Sequence, residues 1–221
     1  MGIFHRQKKQ ADPQKQVQRE LLNETLEKAL YAEVDLFDCL PDEKAQFEGK
    51  TDEEKIAYLL EKTKDSESRI QLEAWSELRK RQIPIPEEIA KNVYGVVIEV
   101  GLFGGMDYLA AYKDHRARYY NFSGKKIVWE REEEDISAMI DNLIQASQVT
   151  TNLLGLWTEE RRKGVSEDMA RLTFLTPEGI YFGEGRMSDL LSDRLSQQIL
   201  SSAVELMKGL MAKAEQQETK G

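Results

Sequence analysis

Two histidines, His5 and His115, and one cysteine, Cys39, are the residues best suited to bind a transition metal or to act as base or nucleophile near neutral pH. A transition-metal site needs several such ligands at helical or hairpin spacing, and neither histidine has one two or four residues away. Cys39 falls within an apolar helical stripe, where a lone cysteine packs rather than reacts, and by itself it forms no intrachain disulfide. Ser123-Gly124 with His115 as base would supply part of a Ser–His hydrolase. The G-x-S-x-G turn is missing, however, and Ser-Gly is ordinary hairpin chemistry. "SGKK" lacks the glycine loop and the Ser/Thr of a phosphate cradle, and "FGEGRMS", with Gly183 and Gly185, lacks the third glycine of a dinucleotide fingerprint. The acidic run "WEREEED" precedes a helix, whose positive end favours such side chains. No catalytic residue, metal or cofactor is assigned from these patterns.

The densest chemical stretch is Asp107 to Glu130, "DYLAAYKDHRARYYNFSGKKIVWE". It interleaves Lys113, Arg116, Arg118, Lys125 and Lys126 with Tyr108, Tyr112, Tyr119, Tyr120, Phe122 and Trp129. Aromatic side chains on a sheet can stack bases while nearby cations hold phosphates, which makes weak single-stranded nucleic-acid binding one alternative. A hydrolase or nucleotide-using enzyme centred on Asp107, Asp114 and His115 is the other, and it requires those side chains to converge in one pocket. Aromatic residues are also preferred in strands, so alternation sends much of this set into a core. The formal net charge is −9, spread evenly on either side of Asn92, which makes nucleic acid an unlikely partner.

These residues must be held by something, and the periodicity indicates what. From 12 to 92 the pattern is helical. Asp12-Pro13 opens a run carrying Leu21, Leu22, Leu26, Leu30, Val34 and Phe37 that ends at Pro41. Thr51 and Glu54 have capping-box spacing for a second helix, and Ser66 is expected to cap a third that carries Ile70, Leu72, Trp75 and Leu78. "IPIPEE" forces an extended break at Ile83 and Ile85 before a short turn of helix from Pro86.

After Asn92 the period falls to 2. Tyr94, Val96, Ile98, Val100 and Leu102 alternate with Gly95, Glu99 and Gly101, which predicts a half-buried strand. The meander follows at 107–112, 117–122 and 126–130. A helix is expected over 135–154, then a polar loop with Trp157, strands at 169–175 and 179–184 about the "TPEG" turn, and a last helix capped by Ser188 or Asp193. The expectation is an α+β fold: an N-terminal helical region (12–92), then a domain (93–213) with an antiparallel sheet in the order β-β-β-α-β-β-α and helices on one face. Residues 1–11 read as a flexible arm and 214–221 as a flexible tail.

At "GVVIEVGLFGGMDYLAAYKDHRARYYNFSGKKIVWE" the chain resembles a group of bacterial proteins of unknown function that share the "DYLAAY" and "ARYYN" strands and the Ser-Gly turn. The resemblance covers mainly 93–130, with weaker echoes in "LTPEGIYFGEG", and it implies no functional residue. In element order the chain is also similar to small acidic secretion-chaperone and profilin-like adaptor domains, which implies binding rather than catalysis.

The apolar fraction is 40% and the charged fraction 32%, values of a chain that folds around a core. "MGIFHRQKKQ" is too short in apolar residues for a signal peptide, and Arg6 stands where a myristoylation signal has Ser or Thr, so a cytoplasmic protein with no membrane contact is expected. The expected role is a non-catalytic protein-binding module, adaptor or chaperone-like, of a bacterial cytoplasm. Its partner is a protein, with a homodimer possible. Tyr112, Arg118 and Tyr120 on the meander's outer face, together with Trp157, are the expected contact residues.

Overall fold

Thr51 and Glu54 cap helix α1 (Asp52–Lys62) reciprocally, as their spacing requires. The Glu54 backbone N–H donates to Thr51 Oγ1 at 3.3 Å, and the Thr51 N–H donates to the Glu54 carboxylate at 2.8 Å. The structure is a computed structural model, and it describes residues 28–32 and 49–219. The expected arm at 1–11, most of the helix over 12–41, His5 and Cys39 lie outside the described residues.

Helix α2 (Ser68–Lys80) departs from expectation at its start. Glu67, not Ser66, holds the N-cap position, and its side chain makes no capping bond. The acceptor comes from far away in the chain: the Ser68 N–H donates to Asp114 Oδ2 at 2.9 Å, and the Asp114 N–H donates back to Ser68 Oγ at 3.1 Å. A carboxylate accepts from a helix N-terminus more strongly than a hydroxyl does, so the tertiary cap prevails over the local one. α1 and α2 close a small core of Leu59, Ala74, Trp75 and Leu78, covered by Ile83 and Ile85 of the proline-broken segment and by Ile89 of α3 (Glu87–Ala90). Trp75 therefore packs within the helical region and not on the sheet.

Six strands follow, all paired antiparallel: β1 (Gly95–Leu102), β2 (Gly105–Tyr112), β3 (Ala117–Tyr120), β4 (Lys126–Trp129), β5 (Met169–Thr176) and β6 (Gly179–Arg186). Their order across the sheet is β4-β3-β2-β1-β5-β6. Four strands rather than three precede the long helix α4 (Glu134–Thr151), because the strand ahead of the three-part meander is an element of its own. α5 (Met187–Ser192) is a short separate turn, and Asp193 caps α6 (Arg194–Glu218) by accepting from the Ser196 N–H at 2.9 Å. α6 runs through Glu218, so the expected tail at 214–221 is helical for its first residues, with Ala214 packed on the core.

The sheet has two unlike faces. On one, Val96, Ile98, Leu109, Ala111, Tyr119, Ile127 and Trp129 meet Ile136, Ile140 and Leu143 of α4 and Ile199, Ala203, Leu206 and Leu210 of α6. This is the expected helix-covered layer. On the other, Val97, Ala110, Tyr112 and Leu175 meet Leu72 of α2 and the segment Leu30, Tyr31 and Ala32. β1 is consequently not half-buried, for Val97 and Glu99 are both 0% exposed. Alternation assigned its side chains to the right faces, but the second face is roofed by residues remote in sequence. Among the described residues no helix is long and apolar enough to cross a membrane.

Candidate functional site

Among the described residues, the second face gathers three of the four buried charged side chains, Glu99, Arg118 and Arg171. Glu99 of β1 stands opposite Arg171 of β5 in the strand register, and Arg171 stands opposite Glu184 of β6. Arg171 Nη1 donates to Glu99 Oε2 at 2.9 Å and its Nε donates to Glu184 Oε2 at 2.7 Å. Its remaining N–H groups reach the backbone carbonyls of Arg162 at 2.7 Å and Gly164 at 2.8 Å. Burial works against the charge on Arg171, yet Glu99 and Glu184 beside it hold its pKa above the ordinary value. Arg171 Nη2 also lies 2.6 Å from Glu184 Oε2, so all five guanidinium donors are directed at partners, and the side chain clamps the 162–164 loop to the sheet. The clamp depends on close approach at Gly101, where a Cβ would lie 2.0 Å from the Ser166 carbonyl oxygen. Tyr31 covers this cluster with the Arg161 guanidinium 3.9 Å from its ring centroid, and burial, then the Glu99 charge, pushes its pKa well up. A fully engaged arginine holds structure together and leaves no group for a substrate.

The expected contact residues fare differently from one another. Tyr112 is buried: its hydroxyl donates to the Leu30 carbonyl at 2.7 Å, Arg69 lies 5.7 Å from its ring centroid, and burial raises its pKa. Arg118 is buried too, donating to the carbonyls of Ala117 at 2.9 Å and Trp129 at 3.1 Å and pairing with Glu130. Neither lies on an open outer face, because residues 28–32 roof the sheet over Tyr112 and the backbone of Trp129, with Glu130, enfolds Arg118. Tyr120 is half-buried, directly opposite Tyr108, with Lys126 Nζ 6.0 Å from its ring. Trp157 folds back: its ring meets Phe182 edge-on at 4.9 Å and its backbone N–H donates to the Ile180 carbonyl at 2.9 Å.

The acid–histidine grouping does not assemble. Asp107 accepts from the Tyr119 hydroxyl and the Phe122 N–H, each at 2.9 Å. Asp114 is occupied by α2 and by Arg116 Nη1 at 2.8 Å. Asp107 lies in the first half of β2 and Asp114 in the turn beyond its end, with roughly 17 Å of strand rise between Asp107 and Tyr112. His115 takes a left-handed turn conformation with φ of 63° and places Nε2 3.1 Å from Asp141 Oδ1 of α4. A cleft of about 380 Å³ does run beside Asp114 and His115, lined also by Lys113, Arg116, Glu130 and Arg131. Its cations are matched by anions, and Asp107 is no part of it. Of the aromatic residues offered for base stacking, Tyr119 and Trp129 point into the helix-covered core, while Tyr108 and Tyr120 stand side by side on the second face.

The sheet's two edges differ. β6 is bridged at Ile180 by Trp157. Among the described residues β4 pairs with β3 alone. The turn between them fixes which groups of β4 face outward. Asn121 N–H donates to the Lys125 carbonyl at 2.9 Å, and the register then makes Tyr119 with Ile127 and Ala117 with Trp129 the hydrogen-bonded pairs. The backbone N–H and C=O groups of Lys126 and Val128 therefore point away from β3, and so does the Glu130 N–H, set by the trans peptide after Trp129. On the second face Lys126 is exposed, and so is Val128, at 57%.

Comparison with protein-family models, with curated proteins and with solved structures gives no match. The residues that sequence reasoning passed over are Glu99, Arg171 and Glu184, and the β4 edge. A signal existed for the first pair: Glu99 within "VVIEVG" and Arg171 within "MARLTF" are charges set inside apolar strands, a pattern of buried pairing.

Proposed function

We propose that the chain is a non-catalytic protein-binding module, adaptor or chaperone-like, of a bacterial cytoplasm, and that it takes its partner along β4. One observation carries the reading: a strand edge with outward backbone donors and acceptors lies beside an exposed valine, while the opposite edge is bridged at Ile180. Such an edge binds an extended segment through main-chain hydrogen bonds and selects it by alternate side chains. The ionisable residues of the meander support the same reading, since Asp107, Asp114 and Arg118 are each engaged in holding turns and strands.

The test is a photo-crosslinking side chain placed at position 128 of the full chain, with position 204 on α6 as the control. Val204 is also exposed, at 43%, but it lies on a helix with no open edge. A discrete adduct from position 128 that is missing from position 204 is the expected result. Equal labelling from both, or none from either, sinks the proposal.

A further inference from the structure

We infer that the partner on this edge is a second copy of the chain, its β4 running antiparallel to the first about a two-fold axis at Val128. The inference rests on the reading of β4 as a binding edge and names what it binds. Its ground is that the edge is complementary to itself in backbone, shape and charge.

The outward-facing backbone groups belong to Lys126, Val128 and Glu130, so two copies can hydrogen-bond only in registers that set even-numbered residues opposite even-numbered ones. A slip of one residue breaks this match and turns each side chain to the wrong face. Three registers keep the parity and align more than one outward residue of each strand. One sets Lys126 opposite Val128, and another sets Val128 opposite Glu130; both place a charge against the valine. The third sets Val128 on Val128 and Lys126 of one protomer opposite Glu130 of its partner, twice by symmetry. It buries the 57%-exposed valine against itself and pairs opposite charges on both sides. In the same register Ile127 and Trp129 stand opposite each other on the helix-covered face, which continues the apolar core across the axis. Glu130 already pairs with Arg118, so the added lysine completes a row of alternating charge. A contact this short belongs at the small end of protein interfaces, and the dimer is accordingly weak and concentration-dependent.

Sedimentation equilibrium of the full chain over a wide concentration range reads the association directly. The wild-type chain is expected to self-associate. Lys126→Glu and Glu130→Lys should each weaken it about tenfold or more, because each sets like charges opposite one another on both sides of the axis. An equimolar mixture of the two variants should recover wild-type association, since every pair across the axis is then opposite again. Should Glu130→Lys fail to fold because Arg118 loses its partner, Val128→Pro replaces it. That change removes an outward N–H but no bond to β3, and should abolish association in a folded chain.

A wild-type chain that stays monomeric overturns the inference, as does association that none of these changes alters. The two proposals fail separately. A monomer whose position 128 crosslinks to a different protein ends the self-pairing inference and leaves the binding edge standing. A monomer with no adduct ends both.

Discussion

The helix-covered face of the sheet and the face opposite it are made by the same strands, residue by residue in alternation, yet they are held together by different physics. Beneath α4 and α6 the contacts are apolar: Ile98, Phe174, Trp129 and Leu143 gain by leaving water, and no single partner matters much. On the other face Glu99 and Arg171 are almost wholly buried. They tolerate burial only because Glu184 and two backbone carbonyls complete the arginine's coordination. The first face degrades gradually when side chains are trimmed. The second either keeps its partners or leaves a charge stranded, and it ties a loop and the 28–32 segment to the sheet as it does so. The difference teaches that alternation in a strand states which residues share a face, and not whether that face is wet.

That contrast can be broken most sharply at Arg171. Arg171→Leu leaves Glu99 buried opposite an apolar side chain and should cost about 3–5 kcal/mol of unfolding free energy, read by denaturant titration. Adding Glu99→Leu to it should restore much of that loss, since the stranded charge goes with it; a double variant no better than the single one contradicts the account. On the apolar face, Leu143→Ala should cost about 2–5 kcal/mol, and its partner residues should offer no comparable rescue.

Tyr112→Phe removes the hydroxyl bond to the Leu30 carbonyl and should cost about 1 kcal/mol. The pKa of Tyr112 and of Tyr31 is raised in the folded chain, so the neutral phenols contribute stability that is complete below the unfolded value, about 10. It is lost as pH rises from there through the folded values. Ultraviolet titration should accordingly find that Tyr112 and Tyr31, together with Tyr181, whose pKa burial and Glu178 also raise, ionise only when the chain unfolds. Independent titration of all eight near the ordinary value would contradict the burial of this face.

At the smaller end, Asp193→Ala should lower stability slightly by removing the cap of α6. The Ser196 N–H holds the Asp193 carboxyl below its ordinary 3.8, so this contribution is present above that value. It is lost as pH falls through the folded pKa, and the wild-type and variant stability curves should converge in acid. Val128→Lys should leave the stability of the monomer within about 0.5 kcal/mol, because the side chain touches water and not the core.

Much of this was legible in the amino-acid order. The Thr51–Glu54 cap, the proline break at Ile83 and Ile85, the switch of period after Asn92 and the Asp193 cap each rest on neighbours within a few residues. What was missed involves residues far apart. Ser66 lost its capping role to Asp114, forty-six residues from Ser68. Tyr112 and Arg118 read as an outer surface because nothing nearby in the chain announces that Leu30 and Tyr31 lie over one and that Trp129 and Glu130 enclose the other. Trp157 read as a loop residue on offer, whereas Phe182 and Ile180 hold it against β6.

By itself the sequence determined the elements and the faces: short-range sterics, caps and apolar spacing suffice to choose helix or strand and to sort side chains by parity. Only the tertiary structure decided which face is covered, which charges are buried together and which edge is left with backbone groups pointing outward. Those outcomes depend on where distant segments meet, and the chain encodes such meetings jointly, through the competition of whole surfaces for burial, rather than at any one position.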